Sequence, residues 1–130
     1  MGCSAPPPEI EYSARLLPTA LNRLSIVQAD PVRDLCVALL LVSPGTNTTF
    51  GVVLPQGWAV ERAWSNTPAS VCGTFVPPSG ASEAQNGTGY VNFEAMNPCN
   101  VSMDVTLQFA AGQERVANMQ LKVQDNLSCN

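Results

Sequence analysis

Nine consecutive residues leave this chain little choice of local structure. Val101, Met103, Val105, Leu107 and Phe109 alternate without a break with Ser102, Asp104, Thr106 and Gln108. A strand turns successive side chains to opposite faces, so this run has one apolar face and one polar face. A second run answers it: Ala117, Met119, Leu121 and Val123 alternate with Asn118, Gln120, Lys122 and Gln124. Gly112 lies in the polar connection between them. Antiparallel pairing of the two runs sets Met103 opposite Val123, Val105 opposite Leu121 and Leu107 opposite Met119. The apolar face of such a hairpin needs a cover, which implies a half-buried antiparallel sheet inside a larger β-domain.

The rest of the chain supplies that cover in short segments. Glu9–Arg15 reads as extended, and Leu16-Leu17-Pro18 ends any helix there. Leu21–Ala29 reads as a strand with Leu24 and Ile26 on one face, and Asp30-Pro31 marks a turn. Leu35–Val42 is apolar on both faces, through Val37, Leu39 and Leu41 and through Cys36, Ala38 and Leu40. Its flanking turn residues favour a central strand covered on both sides over a buried helix. Phe50–Leu54, Trp58–Trp64, Val71–Val76 and Gly89–Ala95 follow as further strands, with Ser79–Thr88 as the longest loop. Seven or eight short strands between turn signals predict an all-β fold, an antiparallel β-sandwich. Residues 1–11 read as a flexible N-terminal tether and residues 12–130 as a single β-sandwich domain.

Composition narrows the function. The chain has 130 residues, one domain's worth, with 45% hydrophobic and only 12% charged residues. Six basic residues are scattered through a chain of net charge −4. A nucleic-acid partner demands a basic stripe, and none exists. The same absence removes attraction to anionic lipid headgroups. There is no histidine. Serine–histidine and cysteine–histidine catalysis and histidine–metal sites are therefore excluded. No calcium-loop or phosphate-loop motif occurs. The residues imply no metal and no cofactor.

The five cysteines divide into one and four. Cys36, Cys72, Cys99 and Cys129 lie in the body, an even number that allows two disulfides. No Cys-x-x-Cys spacing points to zinc or redox chemistry. Extending the hairpin outward brings Cys99 near Cys129, which leaves Cys36 with Cys72; the rival pairing joins Cys72 to Cys99. Disulfides imply an oxidising compartment. Cys3 stands apart, in Gly2-Cys3-Ser4-Ala5 followed by Pro6-Pro7-Pro8. This segment resembles the processed start of bacterial lipoproteins. The resemblance covers these few residues alone and names no domain family. It implies lipidation at Cys3 after removal of a signal peptide, contact with a membrane only through that anchor, and an extracytoplasmic location, whether anchored, periplasmic or secreted.

The candidate ligand site is aromatic. Trp58, Arg62 and Trp64 share one face of a strand together with Val60, and Tyr90 points outward from another. Flat rings on a sheet suit sugar rings, and Tyr and Trp are favoured at interfaces. Packing of both tryptophans in the core, with Arg62 stacked on a ring, is the competing reading. Together these features predict a non-enzymatic binding or assembly module of the cell envelope or a secreted protein, with an unidentified protein or a glycan as partner. A carbohydrate-binding module using exposed aromatics is one alternative. A hydrolase built on two carboxylates across a cleft is another. Four Asn-x-Ser/Thr sequons, at Asn47, Asn86, Asn100 and Asn126, are glycan acceptors if the protein is a eukaryotic secreted one, and chance occurrences if it is a bacterial lipoprotein.

Overall fold

The alternating run is a strand over its whole length. In the structure, a computed structural model, β8 spans Asn100–Phe109, and its burial alternates without a fault. Residues 9–17, 23–42, 52–53, 59–69, 72–73, 76–93 and 99–124 are described. The other strands are β1 (Glu11–Leu17), β2 (Arg23–Asp30), β3 (Leu35–Val42), β4 (Val52–Val53), β5 (Ala59–Asn66), β6 (Ser82–Glu83), β7 (Asn86–Phe93) and β9 (Gly112–Gln124). The fold is all-β, as the alternation requires. The strands form one curled sheet, a half-barrel, in the order β4-β7-β8-β9-β1-β2-β3-β5-β6. The sheet is mixed: β1 runs parallel to β9, and β4 parallel to β7, while the other pairs are antiparallel. The β1–β9 ladder, Ala14 with Val123 and Arg15 with Gln124, joins the β7-β8-β9 meander to the β1-β2-β3 meander.

Curling gives both meanders a common interior. One cluster gathers Ala14, Leu24, Ile26, Leu39, Val60, Val91, Val105, Leu107 and Val116, each fully enclosed. A buried aliphatic side chain of this kind contributes about 1.5–3 kcal/mol relative to exposure. Strand β3 adds a second layer. Its Val37, Leu39 and Leu41 enter this interior, while Cys36, Ala38 and Leu40 enter a separate cluster on the outer face with Trp64 and Cys72. The double apolar pattern of Leu35–Val42 is therefore a strand covered on both sides. The outer cover is tied on by the Cys36–Cys72 disulfide, whose Cα atoms lie 5.8 Å apart, an ordinary span for such a bridge. Trp64 lies under the cover, and its indole N–H donates to the carbonyl of Cys72.

Four expectations change. The hairpin register differs: Phe109 faces Gly112, Val105 faces Val116 and Met103 faces Asn118. A two-residue connection, Ala110-Ala111, replaces the longer loop and slides β9 along β8. A bulge then places Met119 and Gln120 opposite Ser102, after which Val101 faces Leu121. Ala117 and Met119 are thereby moved off the inner face, while Val123 stays on it. In β5 a bulge at the Leu40/Leu41 step lets Glu61 fall out of register, so Val60 faces inward and Arg62 and Trp64 outward. Cys72 and Gly73 are outside any strand, and Gly73 has φ +72°. Strand β7 begins at Asn86, inside the expected loop, because Gly87 and Thr88 pair with Leu107 and Thr106.

The outer cover makes a direct prediction. Replacing Cys36 and Cys72 together by Ser frees a segment of 36-residue separation, which in the chain-entropy account costs about 4 kcal/mol. Urea unfolding followed by tryptophan fluorescence should show that loss. Trp64→Ala in the oxidised protein should cost about 3–5 kcal/mol.

Candidate functional site

The outer face of β7, β8 and β9 carries the polar half of the alternation. Tyr90 faces Asp104, and Asp104 faces Ala117 on β9. Around them lie Thr88, Ser102, Thr106 and Arg115, and on its other side Tyr90 pairs with Val53 of β4. It is 45% exposed. Ala117 fills little of the space opposite Asp104. The bulge on β9 pushes Met119 out until 92% of its surface meets solvent. The result is an open groove of about 630 Å³, with Tyr90 on one side, Met119 and Gln120 on the other, and Ala117 and the Asp104–Arg115 pair along the base.

The base is held by a two-pronged ion pair. Arg115 Nε donates to Asp104 Oδ1 at 2.9 Å and Nη2 to Oδ2 at 2.7 Å. Hydrogen bonding by the guanidinium holds the Asp104 carboxyl below its ordinary value, and the carboxylate raises Arg115 in turn. The bulge wall is set locally: the Gln120 amide donates to Asn118 Oδ1 at 2.9 Å, an Asx-type turn. Gly89, one residue before Tyr90, has φ +129°. A Cβ there would meet the Asp104 carbonyl oxygen and lie 2.8 Å from Val105 Cα. Only glycine lets β7 approach β8 this closely and present Tyr90 at this height.

The sequence-expected site residues are not brought together. Trp64 is fully buried beneath the disulfide-tied cover and shows no ring face to solvent. Arg62 reaches across to β6, where its Nε donates to Glu83 Oε1 at 2.7 Å. Tyr90 is outward and exposed, in the groove. Trp58, Cys3 and Cys129 lie outside the described residues, as do the sequons at Asn47 and Asn126. Cys36 and Cys72 are bonded to each other, and Cys99 is disulfide-bonded as well. Sequence reasoning missed Met119, which it placed in the interior, and Asp104 and Arg115 as a pair. The Met119 signal lay in the turn: a two-residue hairpin connection changes which face Met119 occupies.

Elsewhere the charged groups tie the fold. Arg33 Nε donates to Asp30 Oδ2 at 2.9 Å and its Nη2 to Glu114 Oε1 at 2.6 Å, linking the β2–β3 turn to β9. Asp30 also accepts the amides of Val32 and Arg33, at 3.1 and 3.3 Å, which fixes that turn. Arg23 Nε donates to Glu61 Oε1 at 2.9 Å beside the β5 bulge. Hydrogen bonds from arginine hold Asp30 and Glu61 below their ordinary values. Among the described residues, no three His, Cys, Asp or Glu side chains are grouped to hold a metal ion. The chain matches no known family model, no curated protein and no solved structure.

Two outcomes follow. Gly89→Ala should destabilise the protein by at least about 1–3 kcal/mol from backbone strain alone, read as a lower urea midpoint and faster amide exchange in β7. Asp30, Glu61 and Asp104 have folded-state values below their unfolded ones. Their contribution to stability is complete above the unfolded values, 3.8 for Asp and 4.5 for Glu, and is lost as pH falls through the lower folded ones. The urea midpoint contributed by these groups should therefore stay level from neutral pH down to about pH 5 and decline below about pH 4.

Proposed function

We propose that this protein is a non-enzymatic, extracytoplasmic β-domain that binds a partner through the outer face of β7, β8 and β9. The observation that carries the reading is the groove itself: Tyr90 and Met119 stand exposed on either side of the forked Asp104–Arg115 ion pair. Exposed aromatic and methionine side chains are what binding surfaces use. A sandwich-like arrangement, with β7-β8-β9 laid over β1-β2-β3-β5, belongs to the proposal; a single interior drawing side chains from both groups supports it.

The Cys36–Cys72 disulfide is consistent with an oxidising compartment. Lipidation at Cys3 and pairing of Cys99 with Cys129 complete the proposal; the Val123 amide, which donates to the Cys99 carbonyl at 2.8 Å, brings the end of β9 beside Cys99. Three of the carboxylates do not suit the general acid of a hydrolase. A general acid needs a raised pKa, whereas Asp30, Glu61 and Asp104 are all held low by arginine. Asp30 and Glu114 approach the same point, but the Arg33 guanidinium occupies it.

Two measurements test the reading. Intact mass and peptide mapping of natively expressed protein should give an acyl group on the N-terminal peptide and a Cys99–Cys129 crosslink; a body with every thiol reduced refutes the compartment. A photo-crosslinking residue introduced at Met119 should form adducts in native cells, while the same residue at exposed Val76 should not. Equal labelling at both positions, or none at Met119, removes the groove as the binding surface.

A further inference from the structure

We propose that Met119 is a site of reversible oxidation by hydrogen peroxide, and that its sulfoxide turns one wall of the groove from apolar to polar while the fold stays intact. The first support is where the bulge on β9 leaves this side chain. Met119 meets solvent over 92% of its surface, whereas Met103 is 2% exposed. The two lie almost opposite each other: Met103 faces Asn118, the residue before Met119, across the β8–β9 ladder. Met103 belongs to the interior cluster, and Met119 belongs to neither apolar cluster. One strand pair thus holds a thioether enclosed by core side chains and another open to a small polar oxidant.

The second support is chemical. A thioether sulfur keeps its lone pairs at any working pH, so its oxidation needs no base, and this chain has no histidine to act as one. The sulfur attacks one peroxide oxygen. The S–O bond forms as the O–O bond breaks, the proton on the transferred oxygen passes to the departing hydroxide, and water leaves. Sulfur is oxidised by two electrons and peroxide is reduced. The product is a polar, chiral sulfoxide, which methionine sulfoxide reductases return to the thioether. The third support is room. Met119 opens on the groove of about 630 Å³, which gives the added oxygen space outside the packed core. Arg115 and Gln120 line the same groove and bring N–H donors suited to that oxygen. A flexible apolar side chain of the kind binding surfaces use is thereby exchanged for a hydrogen-bond acceptor.

The test exposes the full chain to limiting hydrogen peroxide and follows each methionine by peptide mass spectrometry. Met119 should gain oxygen at the rate of free N-acetylmethionine amide, and Met103 at least about tenfold more slowly, because it reacts only through opening of the core. Protein oxidised at Met119 alone should keep the unoxidised urea midpoint and shift the amides of Ala117, Asn118 and Gln120. The two methionine sulfoxide reductases, one for each epimer, should together restore the original spectrum. Met119→Leu should keep the same midpoint and show none of these shifts after peroxide. Equal rates at Met119 and Met103 overturn the assignment of the site. A lowered midpoint with Met103 unmodified shows that the fold depends on this side chain and overturns the proposal on that ground. A sulfoxide that the two reductases together leave in place overturns reversibility.

Discussion

Strand β3 is the constraint from which the rest of the structure follows. A strand with apolar residues on both faces must be covered twice, and a sheet provides only one interior. Here the first cover is the curl of the sheet itself, which brings β8 and β9 into the same core as Leu39 and Leu41. The second is the segment around Cys72, which is fastened by sulfur to Cys36. Trp64 fills the space between them. Its burial is a consequence of β3: an apolar strand face at Ala38 and Leu40 needs a large neighbour, and β5 supplies one.

This explains how much of the molecule could be read in advance. Period-two burial was legible wherever it ran unbroken: β8, β3 and the Leu24/Ile26 face of β2 lie where the alternation placed them. Phase was not legible. Glu61 and the Met119–Gln120 pair are each out of step with the ladder, and a single such residue exchanges the faces of everything beyond it. Simple alternation groups Trp64 with Val60 on that account, although the two point to opposite sides of the sheet. Met119 was placed inside for the same reason. Neither bulge has a sequence mark of its own. Each is forced by what neighbouring strands require: the tight Ala110-Ala111 connection sets β9 in one phase against β8, while Leu121 and Val123 must reach the interior in the other.

The charged groups follow the same economy. Four of the arginines meet carboxylates on other strands or turns: Arg23 with Glu61, Arg33 with Asp30 and Glu114, Arg62 with Glu83, Arg115 with Asp104. Exposed pairs of this kind contribute little to stability individually, about 0–1 kcal/mol. Their larger effect here is positional. The Arg33 bridge ties the β2–β3 turn to Glu114 of β9, and the Arg115 bridge joins β9 to Asp104 of β8 at the base of the groove. A chain with six cations commits four of them this way.

The groove and the inward return of β9 meet at one bulge. Strand β9 pairs with β8 from Gly112 to Lys122 and with β1 at Val123 and Gln124, and its ladder with β8 shifts at the bulge opposite Ser102. At this bulge Met119 is turned out to solvent. Before it, Ala117 faces outward where a larger residue would close the space beside Asp104. After it, Leu121 and Val123 return to the interior. The extra residue that returns Leu121 and Val123 to the interior is the one that raises a wall above the outer face, and a β9 without it would lose both together.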